Sequence, residues 1–178
     1  MIGTPEIRDA RILIVDDHHA NVCLLERVLS GAGYLSIAST MNPLEVCELH
    51  RINQYDLILL DLQMPGMDGF QVMEGLQEIE TGGYLPVIVI TAQPGHKLRA
   101  LEAGAKDFVS KPFDLAEVLM RVHNMLEVRL LHSAARNHGR VLEQTVRELE
   151  ASREIIRLKT LEELKKSHAE LEIGRAHV

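Results

Sequence analysis

The stretch LILLDLQMPGMDGF, Leu57–Phe70, sets four apolar residues rich in β formers ahead of Asp61. It then breaks sharply at MPGMDG before a helical run begins. A short, continuous apolar segment bounded by turn signals reads as a strand buried on both faces. Asp61 closes that strand, so it belongs at the carboxyl end of a parallel sheet, where ligands and chemistry collect in open α/β folds. Taken alone, Asp61 reads equally well as a loop cap or as a working carboxylate.

Working outward, the same grammar repeats. Arg11–Val15 (RILIV) is a first β-rich run and ends in Asp16-Asp17. Leu35–Ser39 is a weaker second strand, Tyr55–Asp61 the third, Pro86–Thr91 (PVIVIT) the fourth and Asp107–Val109 the fifth. Between them fall helical segments at about 20–32, 42–50, 69–79 and 95–103, with a further helix from near Asp114. In the first, Val22, Leu25, Val28 and Leu29 recur at helical spacing and Gly33 stops the run. In the second, Pro43 sits in the first turn, where its missing N–H costs nothing. Strands alternating with helices across short loops predict an α/β fold with a parallel sheet covered on both faces. Spacing leaves the strand order open.

In such a sheet every carboxyl end points the same way. Asp16 and Asp17 after the first strand, Asp61 at the end of the third, Thr91 at the end of the fourth and Lys111 after the fifth therefore converge on one rim. Three carboxylates at close quarters repel strongly and need neutralising. An all-oxygen set suits a hard divalent ion such as Mg²⁺, which takes one or two carboxylates together with substrate phosphate oxygens. Lys111 and Thr91 add the positive charge and the hydroxyl that a phosphoryl group also needs.

VDD at Val15–Asp17, LLDLQMPGMDG at Leu59–Gly69, TA at Thr91-Ala92 and SKPF at Ser110–Phe113 together resemble the receiver domain of bacterial two-component response regulators. The resemblance covers residues 10–128. It implies a flavodoxin-like, doubly wound sheet of five parallel strands in the order 2-1-3-4-5. It also implies Asp61 as phospho-acceptor, with Thr91 and Lys111 contacting the phosphoryl oxygens. Mg²⁺ would be held by Asp16, Asp17, Asp61 and the backbone carbonyl of Gln63. Lys111-Pro112 is expected to be cis. Asp61 would take its phosphoryl group from a phosphohistidine of a sensor histidine kinase or phosphotransfer protein, forming an acyl phosphate. Gln63 and Gln93, each two residues past a key position, would tune hydrolysis, and the small Ala92 leaves room for the donor. Readout would run through Thr91 and Phe108 to the face made by the helix before Gly104, strand five and the last receiver helix. Phe108 has no hydroxyl, so that switch would rest on packing.

Composition narrows the field further. Residues 1–128 hold 9 Lys+Arg against 18 Asp+Glu, a balance of −9, and residues 129–178 hold 10 against 8, a balance of +2. The acidic first part argues against direct nucleic-acid binding, which needs clustered basic residues. Three Phe, three Tyr and no Trp make no stacking platform. Cys23 and Cys47 form no CxxC pair and are expected to be reduced, buried hydrophobes. No apolar run approaches a bilayer span, and the opening MIGTPEIRDARILIV lacks signal-peptide features, so a cytoplasmic protein without membrane contact is expected. His18 and His19 have no His or Cys at a matching spacing and read as a solvated loop. Met64, Met67 and Met73 read as loop and core fillers.

From Leu115 to Leu171 the chain has no Pro, and Gly139 is its one Gly. This stretch reads as a continuation of the last receiver helix, with Gly139 a soft point. Leu142, Val146, Leu149 and Ile156 fit one apolar stripe, and Leu158, Leu161, Leu164 and Leu171 fit an offset one. Residues 129–171 are thus expected to form a coiled-coil linker, in a parallel homodimer, with a register shift near Ile156–Leu158. The RNHGRVLEQTVRELEASREII stretch resembles linkers leading into HD-GYP cyclic di-GMP phosphodiesterases, and EELKKSHAELE resembles those preceding histidine-kinase dimerisation helices. The alternative to a free-standing switch is therefore the regulatory fragment of a truncated enzyme of either kind. His168 is not expected to be a kinase phospho-acceptor, because Ala169 follows it where that motif needs an acid. No separate active site is expected here beyond the chemistry at Asp61. The closing EIGRAHV, 172–178, loses the pattern and back-translates readily to GAG ATC GGA AGA GCA CAC GTC, which resembles a sequencing adapter. A non-native tail is expected there.

Overall fold

A computed structural model describes residues 5–80, 83–93 and 95–175, with the side chains of 5 and 172–175 excepted. In order, the elements are α1 (Pro5–Arg8), β1 (Arg11–Val15), α2 (His19–Gly31), β2 (Ser36–Thr40), a 3₁₀ turn (Pro43–Glu45), α3 (Val46–Asn53), β3 (Leu57–Asp61), α4 (Gly69–Ile79), β4 (Val87–Thr91), α5 (His96–Glu102), β5 (Asp107–Ser110) and α6 (Leu115–Arg175). The chain divides into two units, Met1–Ser133 and Ala134–Val178. The expected tail at 172–178 has no described side chains, and 176–178 lie outside the described residues.

The five strands pair in parallel in the order β2-β1-β3-β4-β5, the flavodoxin-like order expected. β3 and β4 are buried at every position, as continuous apolar runs must be when helices cover both faces. Alternate strand residues nonetheless serve different layers. Leu13, Val15, Ile58, Leu60, Val87 and Val89 face the layer holding Val46 of α3, Met73 of α4 and Ala100 of α5. Ile12, Ile14, Leu57, Leu59, Ile88 and Ile90 face Leu25 and Leu29 of α2 and Val118, Val122 and Leu126 of α6. This two-residue period lets one short strand feed two cores.

Three local features differ from expectation. β2 is shifted one residue onward because Leu35 is 72% exposed, its N–H donating to the Arg8 carbonyl. The second helix starts as a 3₁₀ turn, capped by Asn42 accepting from the Leu44 N–H, and runs on to Asn53. Cys23 is exposed and Cys47 half-buried, so neither is the buried hydrophobe expected. Cys23 falls on the outer side of α2, where its Sγ lies 3.5 Å from His19 Nδ1. Met64 and Met73 are core residues and Met67 packs against them.

In the second unit, α6 passes through Gly139 without a break, since one glycine costs a long helix only about 1 kcal/mol. Every residue from Ala134 to Leu171 is exposed, including Leu142, Leu149, Ile156 and Leu164 at more than 60%. Among the described residues, no helix is long and apolar enough to cross a membrane.

Candidate functional site at the carboxyl rim of the sheet

Strand register sets the site. β1 ends at Val15, so Asp16 begins the loop into α2, while Asp61 and Thr91 are the last residues of adjacent strands. All three are almost fully buried, at 1%, 2% and 1% exposure. Asp17, with 19% of its side chain exposed, forms the outer wall. Lys111 follows β5, and its N–H donates to the Thr91 carbonyl at 2.8 Å, which fixes the loop against β4. The Lys111-Pro112 peptide is cis.

Lys111 Nζ donates to Asp61 Oδ2 at 2.6 Å and to Asp16 Oδ2 at 3.0 Å. One ammonium thus bridges carboxylates 50 and 95 residues away in the chain. Burial pushes the lysine pKa down, but hydrogen bonds to Asp61 and Asp16 and their negative charges outweigh it. The net value lies above that of an ordinary lysine, so Lys111 is charged throughout the neutral range.

Asp16 takes four donated contacts. They come from the His18 N–H (2.8 Å), from the Asn21 amide to both oxygens (3.0 and 2.9 Å) and from Lys111. Asn21 was not singled out in the sequence, because a polar residue in the first turn of a helix reads as solvated. Its position five residues after Asp16 is the only signal it leaves. His18 is 68% exposed at its side chain, yet it is not simply a solvated loop residue: its Nδ1 lies 2.8 Å from Asp17 Oδ1 and 3.6 Å from Asp16 Oδ1. Asp16, Asp17, His18 and Asp61 each offer a ligand atom within 4.8 Å of the others.

The entrance is shaped by main chain. The Gln63 N–H donates to Asp61 Oδ1 and the Gln93 N–H to Thr91 Oγ1, both at 3.1 Å, while both residues are exposed. Gly69 allows the β3–α4 loop to close over Asp61: a Cβ there would lie 2.7 Å from the Asp61 carbonyl oxygen and 2.8 Å from Leu62 Cα. Asp68 then starts α4 with a capping box, accepting from the Gln71 N–H while the Gln71 side chain accepts from its own. Phe108 is not in the pocket. It pairs in register with Val89, two residues below the rim, half-buried against the first core layer. Lys97 Nζ lies 4.8 Å and the Arg121 guanidinium 5.8 Å from its ring centre.

This arrangement offers a buried carboxylate, a hydroxyl, a bridging ammonium and an acidic group whose ligand atoms lie within 4.8 Å of one another. The family described as "Response regulator receiver domain" matches residues 12–123. The chain is 40% identical over 124 residues to the response regulator PleD of Caulobacter vibrioides, covering 68% of this chain and 27% of PleD. It is 37% identical over 118 residues to hybrid signal transduction histidine kinase L of Dictyostelium discoideum, covering 61% of this chain and 7% of that protein. Among solved structures, the receiver domain of sensor histidine kinase PA1611 from Pseudomonas aeruginosa superposes with a TM-score of 0.61 at 27% identity. That match covers 67% of this chain and 98% of PA1611's receiver, whose active-site cleft coordinates a magnesium ion. The chain thus spans about a quarter or less of the two curated relatives.

Proposed function

The chain belongs to the response regulator receiver family, and from that premise we propose that it is a phosphorylation-controlled switch with Asp61 as its acceptor. The observation that carries this reading is Lys111 Nζ at 2.6 Å from Asp61 Oδ2, in one cluster with the buried Asp16 and Thr91 and the half-buried Asp17. The donor is a phosphohistidine on a sensor histidine kinase or phosphotransfer protein. An Asp61 carboxylate oxygen forms the new O–P bond as the donor's N–P bond breaks, leaving an acyl phosphate.

The remaining groups position and neutralise. Lys111 moves from bridging two carboxylates to pairing with the phosphoryl oxygens. Thr91 Oγ1 accepts the Gln93 N–H on a lone pair, which leaves its own hydroxyl hydrogen to donate to a phosphoryl oxygen. Three carboxylates with one ammonium form an acidic, oxygen-dominated donor set that suits Mg²⁺, held by Asp16, Asp17, Asp61 and the Gln63 carbonyl. When bound, the ion supplies neutralisation of phosphoryl charge. The exposed side chains of Gln63 and Gln93 flank the path of attacking water and set the lifetime of the acyl phosphate. Movement of Thr91 is read out by Phe108 and by the face formed by α5, β5 and the receiver part of α6.

Output runs through residues 129–171, whose exposed apolar stripe suits a parallel coiled coil with a second copy of the chain. A second reading, that the chain regulates the catalytic part of a longer protein, is favoured by the small fraction of PleD and of the hybrid kinase that it spans. A cyclic di-GMP phosphodiesterase or a hybrid histidine kinase is the output envisaged. The test is incubation with Mg²⁺ and acetyl phosphate, followed by intact mass. One added phosphoryl group, about +80 Da, is expected in the parent and absent from Asp61→Asn. A parent chain that never gains this mass refutes the reading.

A further inference from the structure

The amino end of the sheet, opposite the rim, carries a set of contacts that the phosphoryl chemistry leaves unused. β3 and β4 are neighbours, and their carboxyl ends hold Asp61 and Thr91. Ahead of their amino ends stand Asp56, next to Leu57, and Tyr84, three residues before Val87. Arg129 of α6 joins the two. Its Nη1 donates to the Tyr84 carbonyl at 2.6 Å, and its Nε lies 3.5 Å from Asp56 Oδ1. Only 15% of its side chain is exposed. Three residues on, His132 stacks on the Tyr84 ring with centroids 5.3 Å apart. Both residues lie near the end of the unit that closes at Ser133. We propose that Arg129 is a coupling residue: by tying α6 to the lead-ins of β3 and β4, it passes the phosphorylation state of Asp61 to the helix that continues as the linker. This rests on reading Asp61 as the phospho-acceptor.

The chemistry of the contact suits a rigid attachment. A guanidinium presents its N–H groups in a fixed planar fork, so two acceptors on different segments set its orientation as well as its position. Asp56 is itself held. Its Oδ2 accepts from the Arg11 N–H at 3.0 Å, and its own N–H donates to the Arg11 carbonyl at 2.7 Å. The carboxylate that Arg129 meets is thus fixed to the starts of β1 and β3 together. Between Asp56 and Asp61 run Leu57, Ile58, Leu59 and Leu60, all without exposed surface. So closely packed a strand transmits a displacement at its acceptor end to Asp56, over about 17 Å. Leu126 is fully buried and Leu130 packs on the same layer, so apolar contacts hold α6 to the sheet without Arg129. The arginine adds direction to that packing.

The experiment follows backbone amide exchange by mass spectrometry in the full chain, with and without Mg²⁺ and acetyl phosphate, and records intact mass alongside. In the parent, labelling is expected to change exchange over residues 127–140 by about fivefold or more. Arg129→Met is expected to gain the same phosphoryl mass and to keep the slow exchange of β3, while the change over 127–140 falls below about twofold. Arg136→Met, which alters an exposed basic residue further along α6, should respond as the parent does. Asp56→Asn keeps an oxygen for the Arg11 N–H and loses the charge facing Arg129, so its response should be reduced; it carries the test if Arg129→Met loses protection in β3. A labelled parent with unchanged exchange over 127–140 overturns the coupling role, as does a parental response in both labelled variants. Either result leaves Asp61 standing as the acceptor. A parent chain that never gains the mass removes the acceptor reading and this inference together.

Discussion

Lys111 is the residue on which the rim balances. Replacing it with Met leaves Asp16 and Asp61 facing each other without a cation. A loss of about 2 kcal/mol in metal-free urea unfolding is expected, less than for a fully buried pair because the side chain is 21% exposed. The pH dependence has a definite sign. The folded pKa is raised, so the stabilisation is fully present below the unfolded lysine value and is lost as pH rises through the higher folded value. Alkaline titration of urea stability should therefore show a decline above the ordinary lysine range in the parent that is absent from Lys111→Met. At this scale, side chains that end strands were legible in the sequence, because a parallel sheet sends all its carboxyl ends to one rim. Asn21 and the His18 N–H, both of which donate to Asp16, were not. Their roles come from contacts to Asp16 that no periodicity encodes.

Among the elements, the β3–α4 connection is the least tolerant. Gly69→Ala would drive a methyl against the backbone of Asp61 and Leu62, which cannot swing aside as a flexible side chain would. About 2 kcal/mol of destabilisation is expected from such overpacking, with slower labelling by acetyl phosphate as the loop lifts from the acceptor. Asp68→Ala removes the capping box at the start of α4 and should cost about 1 kcal/mol in thermal or urea unfolding, with labelling kept. The strands best read from sequence, LILLD and VIVIT, are those whose every residue is buried. SIAST of β2 carries only weak apolar contrast, so its start was misplaced onto the exposed Leu35. The four-residue α1 went unread because so short a run has no period, although its Ile7 enters the core beside Ile12.

For the molecule as a whole, all the fully buried apolar residues among those described lie at or before Leu126. A chain ending at Ser133 should therefore unfold in one cooperative transition within about 1 kcal/mol of the parent. The remaining helix has no core of its own, and its exposed leucines carry the expectation of self-association. Light scattering should find a dimer in the parent and a monomer in the Leu142→Asp, Leu149→Asp double variant, with the receiver's thermal transition unmoved. The ammonium that joins Asp16 to Asp61 has an effect reaching beyond the pocket. Asp16 has about four acceptor positions and all are engaged, so an incoming ion and Lys111 compete for the same oxygens. On the proposed function, an ion taken up at Asp16 would displace the lysine from that carboxylate, and a phosphoryl group that captured the lysine would vacate the same oxygen. On that reading, whatever factor one occupant lends to the affinity of the other is returned in equal measure, a reciprocity carried by the tether between the first and last strands.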